Sequence, residues 1–189
     1  MLPAPPSEPG PGPDWPATPW HLTLLGGFTL WDASGHCRRL PGLATQRLLA
    51  RLALWPQRAH AREELIELLW PGVDLATGRN RLRQTLSVLR QVLHQALPPG
   101  GSVLTADRLH VRLDEAGLAC DARLFQAACG RDPVLARRLY QGELMPGFYD
   151  DWVEDERLRL AGLADPLDGD GAAPMSAMPA TAPQPPRHK

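Results

Sequence analysis

Between Ala76 and Leu97 the chain reads ATGRNRLRQTLSVLRQVLHQAL, 22 residues without a single Asp or Glu. Its polar side chains are of the types that read or hold nucleic acid. Arg and Asn or Gln carry paired donors and acceptors that match the major-groove edges of guanine and adenine, while Ser and Arg also hold phosphate oxygens. The candidates are Arg79, Asn80, Arg83, Gln84, Ser87 and Arg90. They can act together only if one element presents them on one side. Leu82, Leu86, Leu89 and Leu93 recur at spacings of four, three and four, the repeat of a helix with one narrow apolar stripe. At about 100° per residue, Asn80, Arg83, Gln84, Ser87 and Gln91 fall on or near the opposite side, with Arg79 and Arg90 flanking. An ordinary solvated helix face has the same pattern, so the surrounding elements must decide between the two.

The net charge of −1 hides a segregation. From Trp20 to Leu113 there are 12 Arg against 6 acids, a balance of +6; from Asp114 to Asp170 there are 13 acids against 6 Arg, a balance of −7. A basic region followed by an acidic one is the footprint of a nucleic-acid-binding module joined to a module of another kind. Cys37, Cys120 and Cys129 are odd in number and lack CxxC spacing, so neither a disulfide framework nor a zinc site is expected. No metal and no cofactor is expected. GxSxG, P-loop, HExxH and dinucleotide-binding glycine patterns are all missing, which argues against an enzyme. No apolar run approaches the roughly 20 residues of a membrane span, and a cytoplasmic, nucleoid-associated protein with no membrane partner is expected.

The elements that would position the long helix follow from punctuation and periodicity. Residues 1–19 hold eight prolines and read as a disordered leader. His21–Leu30 (HLTLLGGFTL) reads as an extended segment kinked at Gly26 and Gly27, with a return at Cys37–Leu40, together a small antiparallel sheet. A helix over Leu43–Leu54 points Leu48, Leu49 and Leu52 inward and Gln46, Arg47 and Arg51 outward; a second, Arg62–Trp70, buries Leu65, Ile66, Leu68 and Leu69. Asp74 is placed to cap the third, despite Gly78 near its start. Two short strands, Ser102–Thr105 and Leu109–Leu113, form a hairpin in which Leu109, Val111 and Leu113 face one side and His110 and Arg112 the other. Sheet, three helices and hairpin make an α+β winged helix-turn-helix, whose last helix enters the major groove while the wing, with Arg112, touches an adjacent groove or backbone.

These residues carry a family resemblance. LLGGF at Leu24–Phe28, REELIELLWP at Arg62–Pro71 and RNRLRQTLSVLR at Arg79–Arg90 resemble the winged-helix domain of OmpR-type regulators, in the variety of the streptomycete antibiotic regulatory proteins. Asp121–Phe125 and LYQGELMPGFYDDWVEDERLRL at Leu139–Leu160 resemble the opening of the bacterial transcriptional activator domain, a helical, tetratricopeptide-like module. The resemblance implies a transcription regulator that binds promoter DNA through Arg79, Asn80, Arg83, Gln84, Ser87 and Arg90. It also implies RNA polymerase, a homologous regulator or a second copy as protein partners. Winged helices of this type often serve phosphorelay signal transduction, although this chain contains no receiver domain.

Four segments are thus expected: the leader 1–19, a complete winged-helix fold over 20–113, a short all-α stub over 114–163, and a Pro/Ala-rich disordered tail over 164–189. Helices are expected at about Ala122–Cys129, up to Tyr140, and from Asp150 to Leu163, with Phe148, Tyr149 and Trp152 as core packing. In the family the activator module continues through further paired helices, so the stub either packs on the winged helix or is a truncated product. A competing functional reading is a protein-interaction module that dimerises with, or blocks, a longer regulator without DNA affinity of its own.

Overall fold

The computed structural model describes residues 15–97 and 101–169. The first 14 residues of the expected leader, and the tail from 170 onward, lie outside the described residues.

The N-terminal run folds back on itself. β1 (Trp20–Thr23) pairs antiparallel with β2 (Thr29–Asp32), Leu22 opposite Leu30. The single kinked segment expected over His21–Leu30 is therefore two strands. Gly26, at φ +83°, takes the left-handed conformation that glycine adopts without a Cβ clash. Its N–H bonds to the Glu143 carbonyl at 2.9 Å, so the reversal is fixed from a distant part of the chain. The third strand of this sheet, β6 (Leu118–Cys120), lies parallel to β1 in the order β2-β1-β6. The sheet is accordingly mixed, and the region beyond Leu113 is not all helical.

The first helix packs on this sheet, and the next two pack on that helix and on each other. α1 (Leu43–Leu54) buries Leu48, Leu49 and Leu52 as its period requires. Arg47 and Arg51, expected to point outward, are instead covered: Arg47 Nε lies 2.9 Å from Asp150 Oδ2, and the Arg51 guanidinium sits 4.1 Å over the Trp55 ring, near Trp152 and Glu64. α2 (Arg62–Leu69) buries Leu65, Ile66 and Leu69, whereas Leu68 is only half-buried. α3 spans Leu75–Leu93 and tightens into a 3-10 turn over His94–Ala96. A second sheet of order β3-β5-β4 is built from β3 (His60–Ala61) and the hairpin of β4 (Leu104–Ala106) and β5 (His110–Leu113).

Gly78 explains how closely α2 and α3 approach. A Cβ on Gly78 would lie 2.3 Å from Ile66 Cγ2, a β-branched atom that cannot swing aside. Gly78→Ala is expected to destabilise the chain by about 1–3 kcal/mol through overpacking, more than the roughly 0.5–1 kcal/mol that Ala contributes as a helix former. Urea unfolding checks this, and in an Ile66→Ala background, itself destabilised by the cavity, the same Gly78→Ala change should cost less; a G78A variant at least as stable as wild type would refute the contact.

Past Leu113 the chain stays within the same core. α4 (Asp121–Ala128), α5 (Pro133–Leu139) and α6 (Asp151–Gly169) bring Phe125, Leu139, Val153 and Leu160 into one cluster with Trp20, Leu22 and Leu49. The boundary expected at Leu113 thus divides the sequence but not the apolar core, because strand pairing through β6 crosses it. α6 also runs six residues past the expected end at Leu163. Phe148 is buried, but Tyr149 is 81 % exposed, so the aromatic trio is not one core cluster.

Candidate nucleic-acid interface

The long helix starts where its sequence places a cap. The Asp74 carboxylate accepts the Thr77 N–H at 3.0 Å, and this hydrogen bond is the main reason its acidity is held above that of an ordinary Asp. Leu82, Leu86, Leu89 and Leu93 are all buried, and the indole N–H of Trp20 donates to the Leu93 carbonyl at 3.1 Å, tying the far end of α3 to β1. With the stripe anchored at both ends, the rotation of the helix is set. Arg79, Asn80, Arg81, Arg83, Gln84, Ser87 and Gln91 are exposed, and Arg90 is half-buried.

Only part of the expected set gathers at one place. Arg79, Asn80 and Arg83 line a groove of about 750 Å³ between the first half of α3, the start of α2 and the tip of the β4–β5 hairpin. Gln84, Ser87 and Arg90 lie outside the groove's lining. Arg112 shares the solvent-facing side of β5 with His110 but lies two residues further along, where it lines a separate depression with Gln57, Thr105 and Glu115. Two arginines not expected at the site, Arg62 and Arg108, complete the groove, with His110 beside them.

The hairpin tip is held to α2 by Arg62. Its backbone N–H donates to the Leu109 carbonyl at 2.8 Å and its Nε to the Asp107 carbonyl at 2.9 Å, while Asp107 Oδ1 accepts from the N–H groups of Leu109 and His110. The turn therefore presents Arg108 and Leu109 at a fixed distance from α3. Leu109 departs from the expected inward alternation: it is 69 % exposed, because it belongs to the turn and the strand begins at His110. The signal for Arg108 lay in its place between two short strands, where a turn residue faces solvent.

The groove is strongly cationic. Arg83 Nη2 donates to Asn80 Oδ1 at 2.6 Å and Arg79 Nη2 lies 2.8 Å from Glu63 Oε1. Glu63 is the one acid among the described residues that line it. Exposed pairs of this kind contribute about 0–1 kcal/mol and engage one edge of each guanidinium, so both arginines keep donors for a nucleic-acid acceptor. A second groove, of about 620 Å³, differs in sign: Glu64, Glu67, Asp150 and Asp151 line it with Leu68, Tyr149 and Trp152. α2 thus separates two surfaces of opposite sign, one facing α3 and the hairpin, the other, with acids from α2 itself, facing the start of α6.

No family model and no curated protein matches the chain. Among solved structures it is similar to Mycobacterium tuberculosis EmbR, solved in complex with a low-affinity phosphopeptide, at 22% identity and a TM-score of 0.58. The likeness is one of fold. It covers 80% of this chain and 42% of the EmbR chain, so this chain spans less than half of that structure's length. Its extent across 80% of the chain takes in more than the region up to Leu113. Among the described residues no helix is long and apolar enough to cross a membrane.

Proposed function

We propose that this chain is a sequence-specific DNA-binding transcription regulator of the winged helix-turn-helix type. α3 enters the major groove, the β4–β5 hairpin acts as the wing, and the phosphate strand between them passes through the arginine-lined groove. The observation that carries this reading is the acid-free outer face of α3, set beside a groove with Arg62, Arg79, Arg83 and Arg108 in its lining. Asn80, Gln84 and Ser87 add base-reading and phosphate-holding groups, and Arg90 holds phosphate. The fold likeness to EmbR and the sequence resemblance to OmpR-type regulators both support it. The segment from Leu118 to Gly169 serves as a platform for the reader, and the acidic, aromatic groove between α2 and α6 suits a protein partner better than DNA. No metal or cofactor enters this activity, and no catalytic role is assigned.

Binding to duplex DNA, followed by fluorescence anisotropy from 50 to about 300 mM salt, tests the reading. Four to six phosphate contacts give a log–log slope of about −4 to −5. A flat salt dependence, with association to a second copy or another regulator, would favour the competing protein-interaction module.

A further inference from the structure

Glu63 is out of keeping with a channel whose only task is to hold phosphate. It lies in the first turn of α2, two-thirds exposed, and it is the acid in a groove otherwise lined by Arg62, Arg79, Arg83 and Arg108. A carboxylate there repels a phosphate that the neighbouring arginines attract. Its Oε1 engages one edge of the Arg79 guanidinium at 2.8 Å and leaves the other donors of that planar fork free. Pinning one edge also removes rotamer freedom that Arg79 would otherwise lose on binding. Arg79 itself stands on the exposed face of α3 one turn before Arg83, within reach of the same ligand.

Resting on the DNA-binding reading, we propose that Glu63 is a positioning residue for sequence discrimination: it keeps Arg79 off the phosphate strand and presents its free donors to a base edge. Without Glu63, Arg79 becomes one more phosphate contact, and the chain grips all sequences instead of choosing among them. Charge repulsion and side-chain immobilisation act in the same direction here. Both lower affinity for arbitrary DNA while leaving a base contact intact.

The test uses the full chain as wild type, Glu63→Gln, Arg79→Ala and the double variant. Each is titrated at several salt concentrations with a duplex selected by the wild type from a random pool and with a scrambled duplex. Glu63→Gln is expected to bind the scrambled duplex about fivefold tighter, the upper end of what an exposed ion pair is worth, with a salt slope steeper by about one unit. Affinity for the selected duplex should not rise, so the preference narrows. In the Arg79→Ala background the same substitution should leave the preference unchanged, and only the smaller gain from removing the carboxylate's own repulsion should remain. An unchanged preference and slope in Glu63→Gln, or an equal gain with and without Arg79, would overturn the inference while leaving DNA binding in place. A wild type that binds no duplex in a salt-dependent way would overturn the DNA reading, and the role of Glu63 with it.

Discussion

Replacing Asp121 with Ala should cost the folded chain at least about 3 kcal/mol, the penalty of leaving three buried N–H groups without an acceptor. The carboxylate, fully enclosed at the start of α4, accepts from Leu24 N–H at 2.8 Å, Leu25 N–H at 2.9 Å and Ala122 N–H at 2.6 Å. It therefore clasps the end of β1 to the first turn of α4, on either side of the β1–β6 pairing. Burial pushes this carboxyl up to about 7, against the pull of those same N–H groups. The unfolded chain's Asp titrates near 4, so the folded chain binds this proton more tightly. The resulting stability is fully present below pH 4 and is lost as pH rises through about 7. Asp121→Asn should flatten that part of the profile, since the amide does not titrate. Urea unfolding from pH 4 to 8 measures both effects. A loss under 1 kcal/mol in D121A would mean that the clasp does not hold the two halves together.

On the DNA side, Arg83→Ala is expected to cost about 1–3 kcal/mol on a selected duplex and to level the preference among sequences, because a paired base contact is lost. Arg83 is exposed, lines the groove and is steadied by the Asn80 side chain. Arg90 sits two turns later, half-buried and away from the groove's lining. Its replacement by Ala should weaken binding to all duplexes alike and lower the salt slope by about one unit. Neither change touches the leucine stripe, so circular dichroism should report an unchanged fold. If both variants bound selected and scrambled DNA as the wild type does, α3 would not be the reading element.

The residues that lie close together in the chain could be placed from the sequence. The leucines of α3, the Asp74 cap and the exposed row of Arg79, Asn80, Arg83, Gln84 and Ser87 all follow from helical period and capping chemistry, which act within one or two turns. So does the succession of three helices and a hairpin. What depends on contacts between distant segments could not be read this way. The pairing of β6 with β1 joins residues about a hundred positions apart, and no local pattern in Leu118–Cys120 names its partner. Arg47 and Arg51 have the spacing of solvated side chains, yet Asp150 and Trp152 cover them, because α6 packs where water was expected. Gly78 looks like a weak point of α3 until Ile66 is placed against it. The groove itself was equally hidden: Arg62, Arg79 and Arg108 converge only because the Arg62 hydrogen bonds dock the hairpin turn on α2, and Arg112, on the same face of β5 as His110 but two residues further from that turn, lines a different depression.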